Sequence, residues 1–213
     1  MKIIKTFILN GLILTLTSLI LRCIGMFFNS YISQKIGAEA IGLYGLIMSV
    51  YGFGITIALS GINLATTKII AEEIAIGNIG NIKKVVQKCL IFSLLFSGIG
   101  SILLIFSAPY ITSTLLHNKI SCVPFYIISI SLPFISMSSC LTGYFSAVRN
   151  SIKPACDQIF EHILKVCFIS LLLNYFMPSG LEYICISLIL GNIIAEILSF
   201  LSLIHISEPT RRT

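Results

Sequence analysis

The sequence predicts an all-α, polytopic membrane protein whose six transmembrane helices form one bundle, and three observations lead there. Of 213 residues, 56% are hydrophobic and 10% charged, and the mean hydropathy of +1.01 is outside the range of soluble domains. Apolar stretches of about 20 residues recur, the length a helix needs to cross ~30 Å of hydrocarbon. The runs of Leu, Ile and Phe do not alternate with polar residues, so they suit helices, which satisfy their own backbone groups, rather than barrel strands.

Helix 1 is expected at 6–32. Lys2 and Lys5 before an apolar run raise the alternative of a cleaved signal peptide, but the run lasts about 25 residues and has no small-residue cleavage site, so it reads as a retained span. Helix 2 follows at 40–66. The next stretch, 67–85, mixes Ile69, Ile70, Ile74 and Ile76 with Glu72, Glu73, Lys83 and Lys84, the pattern of a helix lying on the membrane surface. Helices 3 to 6 are expected at 86–107, 121–147, 157–177 and 182–204, with Pro133 kinking helix 4. Residues 1–204 form the bundle. The end, HISEPTRRT (205–213), breaks from the apolar pattern and reads as a non-membrane tail, expected from a truncated reading frame or foreign sequence.

Short-loop cations set the orientation. One side receives Lys2, Lys5, Lys68, Lys83, Lys84, Lys88, Arg149, Lys153, Arg211 and Arg212, the other Lys35 and Lys119. Both termini are therefore expected on the cytoplasmic side of the cell (plasma) membrane. The net charge of +6 reports this bias, because no basic patch interleaved with aromatics points to nucleic acid. The seven cysteines have no CxxC or metal-ligand spacing and read as small packing residues. No metal or cofactor is expected.

Two stripes stand out. In helix 1, Gly11, Thr15, Ser18, Arg22, Gly25, Asn29 and Ser33 recur at intervals of three and four, along one side. Helix 2 repeats this with Gly42, Gly45, Ser49, Gly52, Thr56, Ser60, Asn63 and Thr67. Such stripes either pack helices closely or line a wet cavity. Arg22 is the exceptional member: a cation near the bilayer centre costs ~2.5–3.5 kcal/mol on insertion scales, and it is too deep to snorkel easily. It requires a partner or water.

Further ionisable groups are Glu161, His162 and Lys165 in helix 5, and Glu196 beside Asn192 in helix 6. Glu161 precedes Lys165 by four residues, the favourable order for a same-helix ion pair. Glu196 lies ~12 Å inside the end of helix 6 at 1.5 Å per residue, where it can pair with Arg22 or Lys165 or carry protons. His162 reads as a helix-surface residue. His117 and His205 are isolated, and no GxSxG, HExxH or Walker loop is present. No catalytic residue is assigned and the chain reads as a non-enzyme, with a membrane-embedded enzyme using Glu161 and His162 as the remote alternative.

Two stretches carry a family resemblance: LILRCIGMFFNSYISQKIGAEAIGLYGLIMSVYGFGITIALSGINLATTKIIAEE (19–73) and GYFSAVRNSIKPACDQIFEHILKV (143–166). In the R-x-x-G pairing, the K-I-G-A-E-x-x-G-L-Y turn and S-G-I-N, the chain resembles the stage V sporulation protein B family of polysaccharide exporters, within the multidrug/oligosaccharidyl-lipid/polysaccharide flippase superfamily. The resemblance covers about half the chain. It implies two similar bundles around a central cavity that exposes a lipid-linked sugar to each side in turn, as in parallel-repeat transporters. This chain matches the first bundle, so a second is expected as partner beside the lipid bilayer. The resemblance also implies that Arg22, with Ser18 and Asn29, meets the anionic head of a lipid-linked glycan in polysaccharide or peptidoglycan synthesis, spore cortex included. A guanidinium suits this because it stays charged and offers paired donors to phosphate. Gly25, Gly45, Ser49, Gly52 and Asn63 would pack or line the cavity. Two alternatives stay open: a cation-coupled drug or metabolite antiporter using Glu196, Glu161 and Lys165, and a non-transporting scaffold.

Overall fold

In the computed structural model the described residues are 2–207 apart from 60, 115, 117–119 and 151, with side chains from 11 onward except 14, 79, 179 and 207. Expectations resting on Ser60, His117, Lys119, Arg211 and Arg212 lie outside them. The helices are α1 Lys2–Leu59, α2 Ile62–Ile76, α3 Ile82–Thr114, α4 Val123–Ala147, α5 Ile152–Phe176 and α6 Leu181–Ser207. Among the described residues five candidate membrane-spanning segments result when Gly11–Ile76, α1 together with α2, is counted as one.

α1 is interrupted at Gly37, whose φ of 82° and ψ of 168° are open essentially to glycine alone. We call its halves α1a (2–36) and α1b (38–59). Their directions follow from their neighbours. Gly25 of α1a abuts His162 and Lys35 donates to Asn174, so α1a runs parallel to α5. Cys185 bonds Ala40 and Tyr51 bonds Glu196, so α1b runs parallel to α6. Ile169 meets Gly191 and Asp157 meets Ser199, so α5 and α6 are antiparallel. Gly37 therefore reverses the chain, and two expected spans are the arms of a loopless hairpin. Gly37→Ala should cost ~1–3 kcal/mol through left-handed strain, read as a lower midpoint in an SDS unfolding titration. An unchanged midpoint would contradict the reversal.

Several expected boundaries shift. Helix 2 stops at Leu59 and resumes at Ile62 after Gly61, whose φ is 74°. The expected surface helix at 67–85 is not a separate element: 67–76 belongs to α2, which follows α4 through Asn63–Ser139 and Thr67–Gly143 hydrogen bonds. Its buried Ile62, Thr66 and Ile70 face the bundle. The mixed sequence after them reflects the outer side, where Lys68 and Glu72 form an exposed pair at 3.9 Å. Helix 3 is longer than 86–107 and runs through Pro109 to Thr114. α4 remains a single helix through Pro133.

Lipid gives apolar side chains little reason to prefer one another, so membrane helices associate through close packing and interhelical hydrogen bonds. The buried face of α3 accordingly carries Ser93, Ser97, Ser101, Ala108 and Thr112, and Ser93 bonds Ser136 of α4 at 2.7 Å. α4 and α6 are the most central spans. Their Phe125, Leu132, Ile189 and Ile193 join Ile47 and Tyr51 of α1b in the main core. The cysteines divide: Cys140 and Cys185 are buried packing residues as expected, whereas Cys23, Cys156 and Cys167 are exposed on the outside. Large apolar side chains such as Phe27 and Phe106, each 80% exposed, form a surface suited to lipid tails.

Candidate functional site

The parallel course of α1b and α6 brings Tyr51 to Glu196. The Tyr51 hydroxyl is 2.8 and 3.0 Å from the two carboxylate oxygens and 2.9 Å from Ser131 Oγ on α4. Asn192, one turn before Glu196, donates to Oε1 at 2.8 Å. Glu196 is thus held by donors from two helices, each charge-assisted bond stronger than a neutral one.

One turn beyond Glu196, on the same side of α6, Ser199 donates to Asp157 Oδ2 at 2.7 Å and lies 3.5 Å from Glu161 Oε2. Asp157 and Glu161 are four residues apart, on one face of α5. They and Glu196 border a cavity of about 280 Å³ with hydroxyl and amide groups of Asn63, Ser138 and Gln158. Asp157 is 5% exposed, and its Oδ1 is buried with no hydrogen-bond partner. Among the described residues no group of three His, Cys, Asp or Glu side chains has the arrangement of a metal cluster.

The expected ion pairs do not form. Among the described residues Glu161 and Lys165 make no contact within 4.0 Å, and neither Glu161 nor Glu196 reaches Arg22, whereas Lys68 and Glu72 do pair on the outer side of α2. Glu161 turns to Ser199 and Glu196 to Tyr51, because hydroxyls on facing helices lie nearer than the long cationic side chains. Arg22 is exposed, at the rim of the α1a–α5 seam, one turn before Gly25. His162 is half-buried rather than a surface residue; its Cε1 would lie 3.5 Å from a Cβ at Gly25, and its Nε2 has no partner.

Most of the two stripes do not pack within this bundle. Thr15, Asn29, Gly42, Gly45, Ser49 and Thr56 are exposed, and Ser18 and Gly52 half-exposed. Nothing lies within 4 Å of a Cβ built on Gly42, Gly45 or Gly52. Thr15, Ser49 and Thr56 donate to the carbonyl four residues back, at 2.8–2.9 Å, so these hydroxyls are satisfied without neighbours. The exceptions include Gly25, which abuts His162, and Asn63 and Thr67, which donate to Ser139 O and Gly143 O of α4 at 3.4 and 3.1 Å.

Sequence reasoning missed Tyr51, Ser131, Asp157 and Ser199. Asp157 had a signal, one turn before Glu161 on the same face. Tyr51 had none, since it is off the stripe and indistinguishable from an apolar neighbour until α6 is placed.

A family model described as polysaccharide biosynthesis protein matches residues 7–212. Stage V sporulation protein B of Bacillus subtilis (strain 168) is 29% identical over 199 residues, covering 93% of this chain and 38% of the relative. The chain thus spans under two fifths of the curated relative it matches. No solved structure matches significantly. With its spans arranged as described, the chain belongs to the polysaccharide biosynthesis protein family of multi-pass membrane proteins.

Proposed function

We propose that this chain is one bundle of a flippase that moves a lipid-linked, anionic saccharide precursor across the cell membrane, with Arg22 meeting the phosphate-bearing head. The observation that carries this is an exposed guanidinium in an apolar span, within 4.0 Å of none of Asp157, Glu161 and Glu196 and flanked by Ser18 and Asn29. A cation so deep has a high solvation cost unless water or an anion meets it, and phosphate is the anion that a planar guanidinium recognises with paired donors. Membership in the polysaccharide biosynthesis family supports a saccharide cargo and transport rather than catalysis. A second bundle completes the cavity from outside this chain, facing the polar stripes of α1a and α1b. By the positive-inside bias both ends of the bundle are cytoplasmic.

The test is transport of lipid-linked substrate by the full-length form. Arg22→Ala removes charge-assisted bonds worth ~1.5–3 kcal/mol, so transport should fall about 10- to 100-fold at unchanged abundance. Arg22→Lys keeps the charge without the fork and should fall between. Wild-type transport by both variants would refute the role.

A further inference from the structure

We propose that the exposed side of α3 binds an anionic phospholipid, its phosphate held by Lys84 and Lys88 and its acyl chains lying along the apolar row beside them. The inference is separate from the glycan reading, since α3 carries none of the residues on which that reading rests.

The row is continuous. Ile91, Leu95, Ile99, Ile102 and Phe106 recur at intervals of four, four, three and four, so they share one side of the helix, and each is 54–80% exposed. Lys84 and Lys88, both exposed, extend this row at one end, and Tyr110 extends it at the other. From Lys88 to Tyr110 is 22 residues, ~33 Å at helical rise, which matches ~30 Å of hydrocarbon. Lysine and tyrosine at opposite ends are the interfacial anchors of a membrane span. Lys88 is therefore level with the headgroups, and Lys84 lies one turn farther out. A face that packs on another membrane helix carries small residues, as the opposite side of α3 does with Ser93, Ser97 and Ser101. This row has none, so its neighbours are lipid tails rather than a second copy or a second bundle.

Charge selects the headgroup. Lys84 and Lys88 are like charges one turn apart, an arrangement that weakens a helix unless an anion serves both. No carboxylate of the bundle does so. α3 has no acidic residue in its first turn, and among the described residues neither lysine lies within 4.0 Å of a carboxylate. The acids nearest in sequence are engaged elsewhere: Glu72 pairs with Lys68 at 3.9 Å, and Glu73 accepts from Asn81 Nδ2 at 3.1 Å. Lys83, also exposed, adds a third positive charge to the same turn. A zwitterionic headgroup brings its own cation to such a place, whereas an anionic one leaves its phosphate free for the lysines. Cations beside a membrane span therefore favour the anionic lipid.

The experiment uses the absence of tryptophan from the sequence. A single Ile91→Trp reporter in the 213-residue chain, reconstituted in phosphatidylcholine vesicles, is quenched by whichever brominated lipid lies beside Lys88. Brominated phosphatidylglycerol mixed into these vesicles is expected to occupy that place with a preference of about threefold or more over brominated phosphatidylcholine. Lys84→Gln and Lys88→Gln together should return the preference to about one. A second reporter, Phe106→Trp, ~27 Å along the same row, should show no preference. Helicity by circular dichroism accompanies each variant; should Ile91→Trp lose it, Leu95→Trp carries the same test. Equal quenching by the two brominated lipids beside Lys88, a preference that survives the double glutamine variant, or the same preference at both reporters would each overturn the proposal. Because no lipid-linked substrate is present, failure here leaves the Arg22 transport assay untouched, and the reverse holds.

Discussion

Gly191→Ala is expected to destabilise the bundle by ~1–3 kcal/mol, the usual cost of overpacking, read as a lower midpoint in an SDS unfolding titration. The added Cβ would lie 2.6 Å from Ile169 Cγ1, 2.9 Å from its backbone nitrogen and 3.0 Å from its Cα. A side-chain tip can rotate away; the backbone atoms move only if α5 separates from α6. Alanine has about 1 kcal/mol better helix propensity than glycine, so the sign depends on which effect is larger, and contact with backbone decides it for the clash. Gly98 on α3 is the control. Nothing lies within 4 Å of a Cβ there, so Gly98→Ala should be neutral or stabilising. Equal behaviour at both positions would contradict the close α5–α6 approach.

Tyr51→Phe is expected to cost ~1.5–3 kcal/mol, because it removes a hydrogen bond to a charged group and leaves Glu196 short of a donor. Size and apolar contacts within the core barely change, so the loss reports the hydroxyl. Repeating the substitution in a Glu196→Leu background separates the pair from its surroundings: with no carboxylate to serve, the cost should fall below about 1 kcal/mol. Ser131 keeps its bond to Ile128 O at 2.9 Å in either case. An equal cost in both backgrounds would show that Tyr51 acts through packing rather than through Glu196.

Much of this was legible in the sequence because lipid simplifies the problem. Span length and hydropathy identify the segments, and the turn at Lys35–Tyr44 coincides with the reversal at Gly37. Boundaries were less legible at the interruption near Gly61, where the apolar pattern passes through a left-handed glycine without changing. The site divides similarly. Glu161 and Glu196 announced themselves as charges in apolar runs, but their partners did not, since pairing depends on which helices are neighbours. The Glu161–Lys165 spacing favoured an ion pair that a hydroxyl on the facing helix supplants. Arg22 was recognisable from its stripe, while its exposure required the positions of α5 and α6.

Gly37 leaves the hairpin without slack. Fifteen residues separate it from Arg22 on one arm and from Gly52 on the other, ~22 Å each way at helical rise, so the guanidinium is level with the segment that carries Tyr51. Two spans joined by a flexible loop can slide past one another, and the loop absorbs the difference. Here one residue joins them. A displacement of α1b along its axis, such as loss of the Tyr51 grip on Glu196 would permit, reaches α1a undiminished. The hairpin is a stiff lever, one arm anchored on a carboxylate and the other carrying a cation.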